Sequence, residues 1–459
     1  MKKVTVISSI VFLVIGLSMC HKAEIFPETG YDERLSGGAA TVFDATSHAF
    51  TNAVDGLSAR DERVHEIGDQ TFEQIFVAPP ATVFPGLGPV FNNISCINCH
   101  RNDGGGLPTA GFSNSGLLMR ISLSGTDEFG GPLAVPGFGG QIQDHAVLGA
   151  QPEANVRIVY TDVPISYADG TIVHLRKPEY SLVNPYIALP GSYLLSPRLA
   201  PPLIGMGLLE KIPERTVVSF IDAGDKNQDG ISGKANFIHN PFTNATELGR
   251  FGLKANTPSL LVQIATAYQQ DMGVTSYVQT KESADGQAQM STVHGDAQPE
   301  LVDSILNDVN FYVRTLAVPA RRNISDANVQ QGATVFSQIN CSGCHRPNMQ
   351  TGIDQTLPQV SNQRIHPYTD LLVHDMGDGL ADNRPDYLAN GREWRTQPLW
   401  GVGLLEKTTG TAYYLHDGRA RTLEEAVLWH DGEAAKARQQ FLQLSKGDRE
   451  NLLSFLKSL

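Results

Sequence analysis

Two stretches of five residues, Cys96-Ile97-Asn98-Cys99-His100 and Cys341-Ser342-Gly343-Cys344-His345, constrain this chain more than any other feature. Each sets two thiols three positions apart with a histidine directly after them. At that spacing a protein bonds the two vinyl groups of a haem and offers an imidazole to its iron. With 5 Cys and 13 His in 459 residues, chance supplies roughly 0.0015 copies of the pattern. A zinc site or two disulfides would also use four cysteines. Zinc ligands follow other spacings, however, and neither alternative needs a histidine after each pair. The sequence therefore predicts two covalent c-type haems, with His100 and His345 as iron ligands. The contexts match too: Gly88-Pro89-Val90-Phe91 precedes the first motif and Gly332 to Phe336 the second. Each reads as a helix end delivering an aromatic ring to the porphyrin.

The fifth cysteine has another use. Lys2 and Lys3 precede an apolar run from Val4 to Leu17 that ends at Leu17-Ser18-Met19-Cys20, the pattern of a secretory signal with a lipoprotein-type cysteine. Met19 departs from the usual small residue, so a plain signal peptide or an uncleaved anchor is the alternative. The run falls short of the ~20 residues of a spanning helix. Export to the periplasm of a Gram-negative bacterium, with a lipid on Cys20 as the membrane tether, is the expectation. Removing residues 1–19 takes away two lysines and no acid, which moves the formal charge from −13 to −15. That balance argues against nucleic acid as a partner and suits a basic electron-donor protein.

Between the motifs lie strand-like runs. Val156 to Tyr160, Ile165 to Tyr167 and Thr171 to Leu175 are rich in β-branched and aromatic residues around the turn pair Asp169-Gly170, which predicts a β insertion of two or three strands. Val302, Ile305, Val309, Tyr312 and Leu316 recur at helical spacing, and Ser445 with Asp448 forms a capping box before the closing helix. The fold expected is mainly α, with two cytochrome c-like haem domains and a β insertion in the first. Its boundaries are a signal at 1–20, an N-terminal haem domain at 21–279, a polar linker at 280–300 and a C-terminal haem domain at 301–459.

Four longer runs carry a family resemblance: Ser196 to Glu210, Arg314 to Arg322, His374 to Gly377 and Gly391 to Thr396. They resemble the di-haem oxidoreductase family, often labelled thiol oxidoreductase, over nearly all of the mature chain. That family is similar to the bacterial di-haem cytochrome c peroxidases and to the di-haem enzyme that matures tryptophan tryptophylquinone. The thiol label finds no support, since every cysteine already has a use. Tyr414 to Arg419, followed by Thr422 to Val427, resembles the peroxidase segment that ends in the distal methionine of the electron-transfer haem. His430 stands in that place here, so the resemblance implies a bis-histidine C-terminal haem held by His345 and His430, with His374 and Met376 as rival ligands. It also implies that substrate reacts at the N-terminal haem, whose sixth ligand is absent or removable. His239, His48, His65 and Met119 are the candidates for that ligand.

The peroxidases' acid–base motif is not reproduced. Gln270, Asp271 and Glu300 are the polar residues nearest by chain position, and are taken as candidate catalytic groups. Asp225, Asn227 and Asp229 alternate like the oxygens of a calcium loop, with Asn236 where a glutamate is usual. Asn256 matches a residue that holds calcium in the related peroxidases through main-chain groups near Thr411 and Tyr413. The expected protein is a peroxidase-like enzyme. Its electrons come from a small cytochrome or cupredoxin, enter at the C-terminal haem, pass near Trp394 or Trp400, and reduce a peroxide-type small substrate at the N-terminal haem. A non-catalytic di-haem carrier, or an oxidase of a protein or small molecule linked to iron handling, are the alternatives.

Overall fold

Glycine and proline, 44 and 26 of the 459 residues, cut the chain into short elements. A computed structural model describes residues 32–287, 289–290 and 299–459. The predicted signal segment with Cys20, and part of the 280–300 linker, lie outside the described residues. The chain is 29% helical and 19% strand, a mixed α/β protein, and this overturns the mainly α expectation. Helical spacing marks the segments next to the motifs, and much of the rest of the chain lacks it. The longest of the described helices spans 14 residues, Ala59–Phe72, and several strands have only two residues, too few to leave a periodic trace. Phe91 shows the consequence. It lies on the strand Val90–Phe91, paired with His145–Ala146, with its ring stacked on His145 at 5.7 Å, and not at a helix end.

Each haem motif is backed by two helices that cross at a glycine. Ala59–Phe72 begins at Ser58, whose hydroxyl accepts from the Asp61 N–H, and crosses Asp303–Thr315 at Gly68. A Cβ on Gly68 would lie 2.3 Å from the Asp308 carbonyl oxygen. Ala327–Gln338 crosses Lys446–Ser458 at Gly332 in the same manner, 2.0 Å from the Asn451 carbonyl oxygen. Only hydrogen fits at such contacts, so alanine at either position would push the helices apart. The crossings let Phe72 and Tyr312 in one pair, and Phe336 and Phe455 in the other, pack as buried rings. Burying a side chain of that size contributes about 1.5–3 kcal/mol.

The strands position two further groups. Leu117–Ser122 lies between Gln141–Ile142 and Leu194–Leu199 in a three-stranded antiparallel sheet. Side chains alternate across a strand, so Leu117, Met119 and Ile121 enter an apolar core while Arg120 takes the other face, opposite Gln141 and Ser196. The second group is a hairpin of two 12-residue strands, Asn155–Ser166 and Ile172–Val183, each longer than its sequence signal. It is clasped to the C-terminal half. Arg176 donates to the Gly418 and Arg419 carbonyls, both at 2.9 Å. Tyr180 donates to Asp417 at 3.0 Å and Tyr167 to Glu424 at 2.7 Å. These bonds fix the segment that leads to His430. Among the described residues no helix is long and apolar enough to cross a membrane.

Candidate functional site: two unequal imidazole centres

At the second motif Asn340 turns the chain in the left-handed region, φ 63°, and Cys341–Gly343 forms a single 3-10 turn that delivers His345. Its Nδ1 donates to the Tyr368 carbonyl at 2.9 Å. His430 follows the helix Leu423–Trp429, which starts at the Thr422 hydroxyl, and its Nδ1 donates to the Ala426 carbonyl at 2.7 Å. A carbonyl can only accept, so both protons sit on Nδ1 and both Nε2 lone pairs are left for a metal. Burial drives the pKa of both imidazoles down, His345 to about 4. Both are therefore in the neutral form that ligates. Their ring centroids are 6.4 Å apart. A metal–imidazole bond runs about 2.0–2.1 Å and the ring centre lies about 1.1 Å behind the ligating nitrogen. Two imidazoles on one metal therefore have centroids about 6.2–6.4 Å apart. The pair fits a single iron between them.

Both rings open on a cavity of about 300 Å³ whose wall also includes Cys341, Cys344, Leu380 and Trp400. Burial pushes the Cys341 thiol up to about 12, and raises Cys344 as well. Thiols so far above neutrality are poor nucleophiles. The rival ligands stand differently. Met376 lines the cavity. His374, 2% exposed, has both nitrogens occupied: Nε2 is 2.9 Å from Asp370 and Nδ1 2.7 Å from Glu433. Two carboxylate partners leave it no lone pair for iron.

At the first motif the short helix Cys96–Cys99 presents His100, whose Nδ1 donates to the Pro201 carbonyl at 2.9 Å. Burial takes its pKa to about 4. The aromatic neighbour of His100 is Phe72, at 6.1 Å between ring centres, and no histidine ring pairs with it among the described residues. Polar groups gather here instead. The helix Leu260–Met272 turns Tyr268 and Asp271, three apart and so on one face, toward the two cysteines. Burial raises both thiols, and the charge of Asp271 adds to it. Asp271 accepts from Gln141 at 2.8 Å, and burial lifts its pKa too. Tyr268 carries a buried hydroxyl with no partner. The Arg120 guanidinium is near enough to feel Asp271, and burial lowers it to about 10.

The other predicted residues divide. Gln270 lies beside Asp271, its Oε1 buried without a partner and its carbonyl accepting from Gln143 at 2.5 Å. Glu300 is turned to Thr275, accepting from its N–H at 2.9 Å and its hydroxyl at 2.6 Å. His48 is exposed. His65 pairs with Thr315 at 2.8 Å, and His239 stacks on Phe129 at 4.1 Å. Met119 is core. The oxygens of Asp225, Asn227 and Asp229 accept from main-chain N–H groups of their own turn, and Asn256 stands on a separate turn against Gly252. Trp394 stacks on His416 at 3.7 Å, with Lys254 and Arg198 over its ring at 4.6 and 5.0 Å. Trp400 shares the cavity wall with Pro201, whose carbonyl holds His100. Sequence reasoning missed Arg120, Gln141, Tyr268 and Arg395. A charged residue inside the apolar run Leu117 to Ile121 was the one visible sign.

Each motif thus holds a buried, neutral imidazole, and Pro201, whose carbonyl accepts from His100, lines the cavity onto which His345 and His430 open. Residues 31–459 match the family described as "Di-haem oxidoreductase, putative peroxidase", and the chain belongs to that family. A comparison with curated proteins gives no match.

Proposed function

We propose that this protein is an exported c-type di-haem peroxidase, its haems bonded to Cys96 and Cys99 and to Cys341 and Cys344. Electrons enter at the C-terminal haem, and peroxide is reduced at the N-terminal one. The observation that carries this reading is the asymmetry of the two imidazoles. His345 and His430 stand at a spacing at which both could hold one iron. The motif of His100 has Asp271 and Tyr268 beside its cysteines instead, with Arg120 near Asp271. Haem iron, held by His100 at one site and by His345 with His430 at the other, would supply one-electron redox chemistry.

The protein's part is to handle protons and charge. Reducing one peroxide to two waters consumes two electrons and two protons. A buried carboxyl whose pKa is raised is a candidate to give or take a proton. Asp271 has that character, and Gln141 holds its Oδ1 in place. Arg120 and the Tyr268 hydroxyl are hydrogen-bond donors for an oxygen that gains negative charge as the O–O bond breaks. A calcium ion at Asp225, Asn227 and Asp229 would brace their turn and takes no part in the proton chemistry. Export, a lipid on Cys20 and a basic cytochrome or cupredoxin donor complete the proposal. They rest on the N-terminal sequence and the acidic charge.

The test is the spin state of each haem together with turnover. In the oxidised protein one haem should give a low-spin bis-imidazole spectrum, and the half-reduced protein should consume peroxide. Two saturated low-spin haems with no rapid peroxide reaction would make the protein an electron carrier.

A further inference from the structure

The motif Gly391 to Thr396 contains an arginine, Arg395, that the scheme above does not use. Arg395 lies on the strand Glu393–Arg395, paired with Val373–Asp375, and is only 5% exposed. Its Nε donates to the Gly252 carbonyl at 2.9 Å and its Nη2 to the Gln397 side-chain oxygen at 2.8 Å. Both acceptors are neutral. Nη1 is buried without any partner. Leaving such a donor unpaired costs about 1–3 kcal/mol, and more for a charged group. The nearest acid, Asp370, is engaged by His374 and by the Leu372 N–H. Burial lowers the Arg395 pKa to about 10 against the opposing charge of Asp370.

Other buried arginines of this half differ. Arg419 pairs with Asp417 at 2.8 Å and Arg384 with Asp386 at 3.1 Å. Arg395 is a buried cation short of an anion, and it stands in the wall of the cavity that holds His345 and His430. Two bonds fix the guanidinium plane, which leaves one edge preorganised for a carboxylate.

We propose that Arg395 binds a propionate carboxylate of the haem held between His345 and His430, and so sets that haem's orientation and potential. The proposal rests on the bis-histidine reading of this site. The cation neutralises a propionate that would otherwise stabilise ferric iron. Removing it should make the haem harder to reduce.

The experiment uses holoprotein. Arg395→Gln keeps a donor for the Gly252 carbonyl and removes the charge, and Arg395→Lys keeps the charge and removes the fork. Potentiometric titration of the low-spin haem should show its reduction equilibrium constant lowered about tenfold in Arg395→Gln, close to 59 mV for one electron. Arg395→Lys should stay within about threefold of wild type on the same scale. An unchanged potential in an Arg395→Gln protein that keeps two haems and its low-spin spectrum overturns the proposal. If Arg395→Gln fails to fold, the wild-type protein decides, with haem labelled with carbon-13 at its propionates. Redox difference infrared spectra should show a labelled carboxylate that stays ionised from about pH 5 to 8. A buried carboxyl without a cation is pushed up into that window, and titration there counts against Arg395. A wild-type spectrum with no low-spin signal sinks the bis-histidine reading instead, and is seen before any variant is compared.

Discussion

At both motifs a histidine donates from Nδ1 to a main-chain carbonyl, Pro201 behind His100 and Tyr368 behind His345. What gathers around each imidazole differs. The second faces His430 in a largely apolar cavity. The first has Asp271 and Tyr268 close to its cysteines, with Gln141 bonded to Asp271 and Arg120 near that carboxyl. A saturated iron changes its surroundings little when it passes an electron, whereas an open iron needs donors and a proton nearby. On the proposed function, one attachment chemistry serves two purposes, separated by what the rest of the fold brings to each site.

The comparison breaks most visibly at the iron ligands. His100→Ala should abolish peroxide turnover and leave the low-spin spectrum of the other haem intact. Turnover that survives would reverse the roles of the two sites. Asp271→Asn comes next. It keeps the hydrogen-bonding shape and removes the proton, and should slow peroxide reduction by roughly 10²–10⁴-fold, the usual contribution of a placed acid or base. Stopped-flow mixing with peroxide measures this. A rate within threefold of wild type takes Asp271 out of the mechanism. His430→Met has a smaller effect on rate and a clear one on potential. Thioether ligation favours ferrous iron, so the midpoint of the low-spin haem should rise. If His430 is not the ligand, neither the spectrum nor the midpoint moves.

Much of the second site could be read in the sequence, because its chemistry is local. The motif fixes Cys341, Cys344 and His345 within five residues, and His430 ends a segment with its own helix signals. The first site could not be read the same way. Arg120 and Gln141 come together through strand register, and Gln141 reaches Asp271, 130 residues on, only through the tertiary fold. Glu300 follows Asp271 at modest chain distance yet is turned to Thr275. The fold class failed for a related reason: two-residue strands and loops rich in glycine and proline carry no period. The long hairpin was visible, because β-branched and aromatic residues mark it, although its strands run further than those residues do.

The smallest expected effect tests how the acids behind the two sites are held. Glu433, behind the second, is raised by burial, but hydrogen bonds from His374 and Ser232 outweigh that and hold it at about 2. Glu153, linked through Gln143 to the Gln270 carbonyl beside Asp271, is 1% exposed. It accepts from the Gln143 N–H at 2.7 Å and the Gln287 amide at 2.6 Å, and burial pushes its pKa from 4.5 to about 8. A carboxyl raised on folding binds its proton more tightly in the native state. Between about pH 4.5 and pH 8 the native protein therefore holds a proton that the unfolded chain has lost, and stability from this group falls as pH rises through that window. Glu433 acts with the opposite sign: its contribution is present above about pH 4.5 and is lost as pH falls toward 2. Glu153→Gln fixes the uncharged form. The variant should resemble wild type near pH 5 and exceed it at pH 8.5, by on the order of 1–3 kcal/mol. Melting temperatures across that range check the slope. If wild type and Glu153→Gln lose stability in parallel, Glu153 is ionised in the folded protein, and the contrast between unpaired acid at the first site and paired acid at the second does not hold.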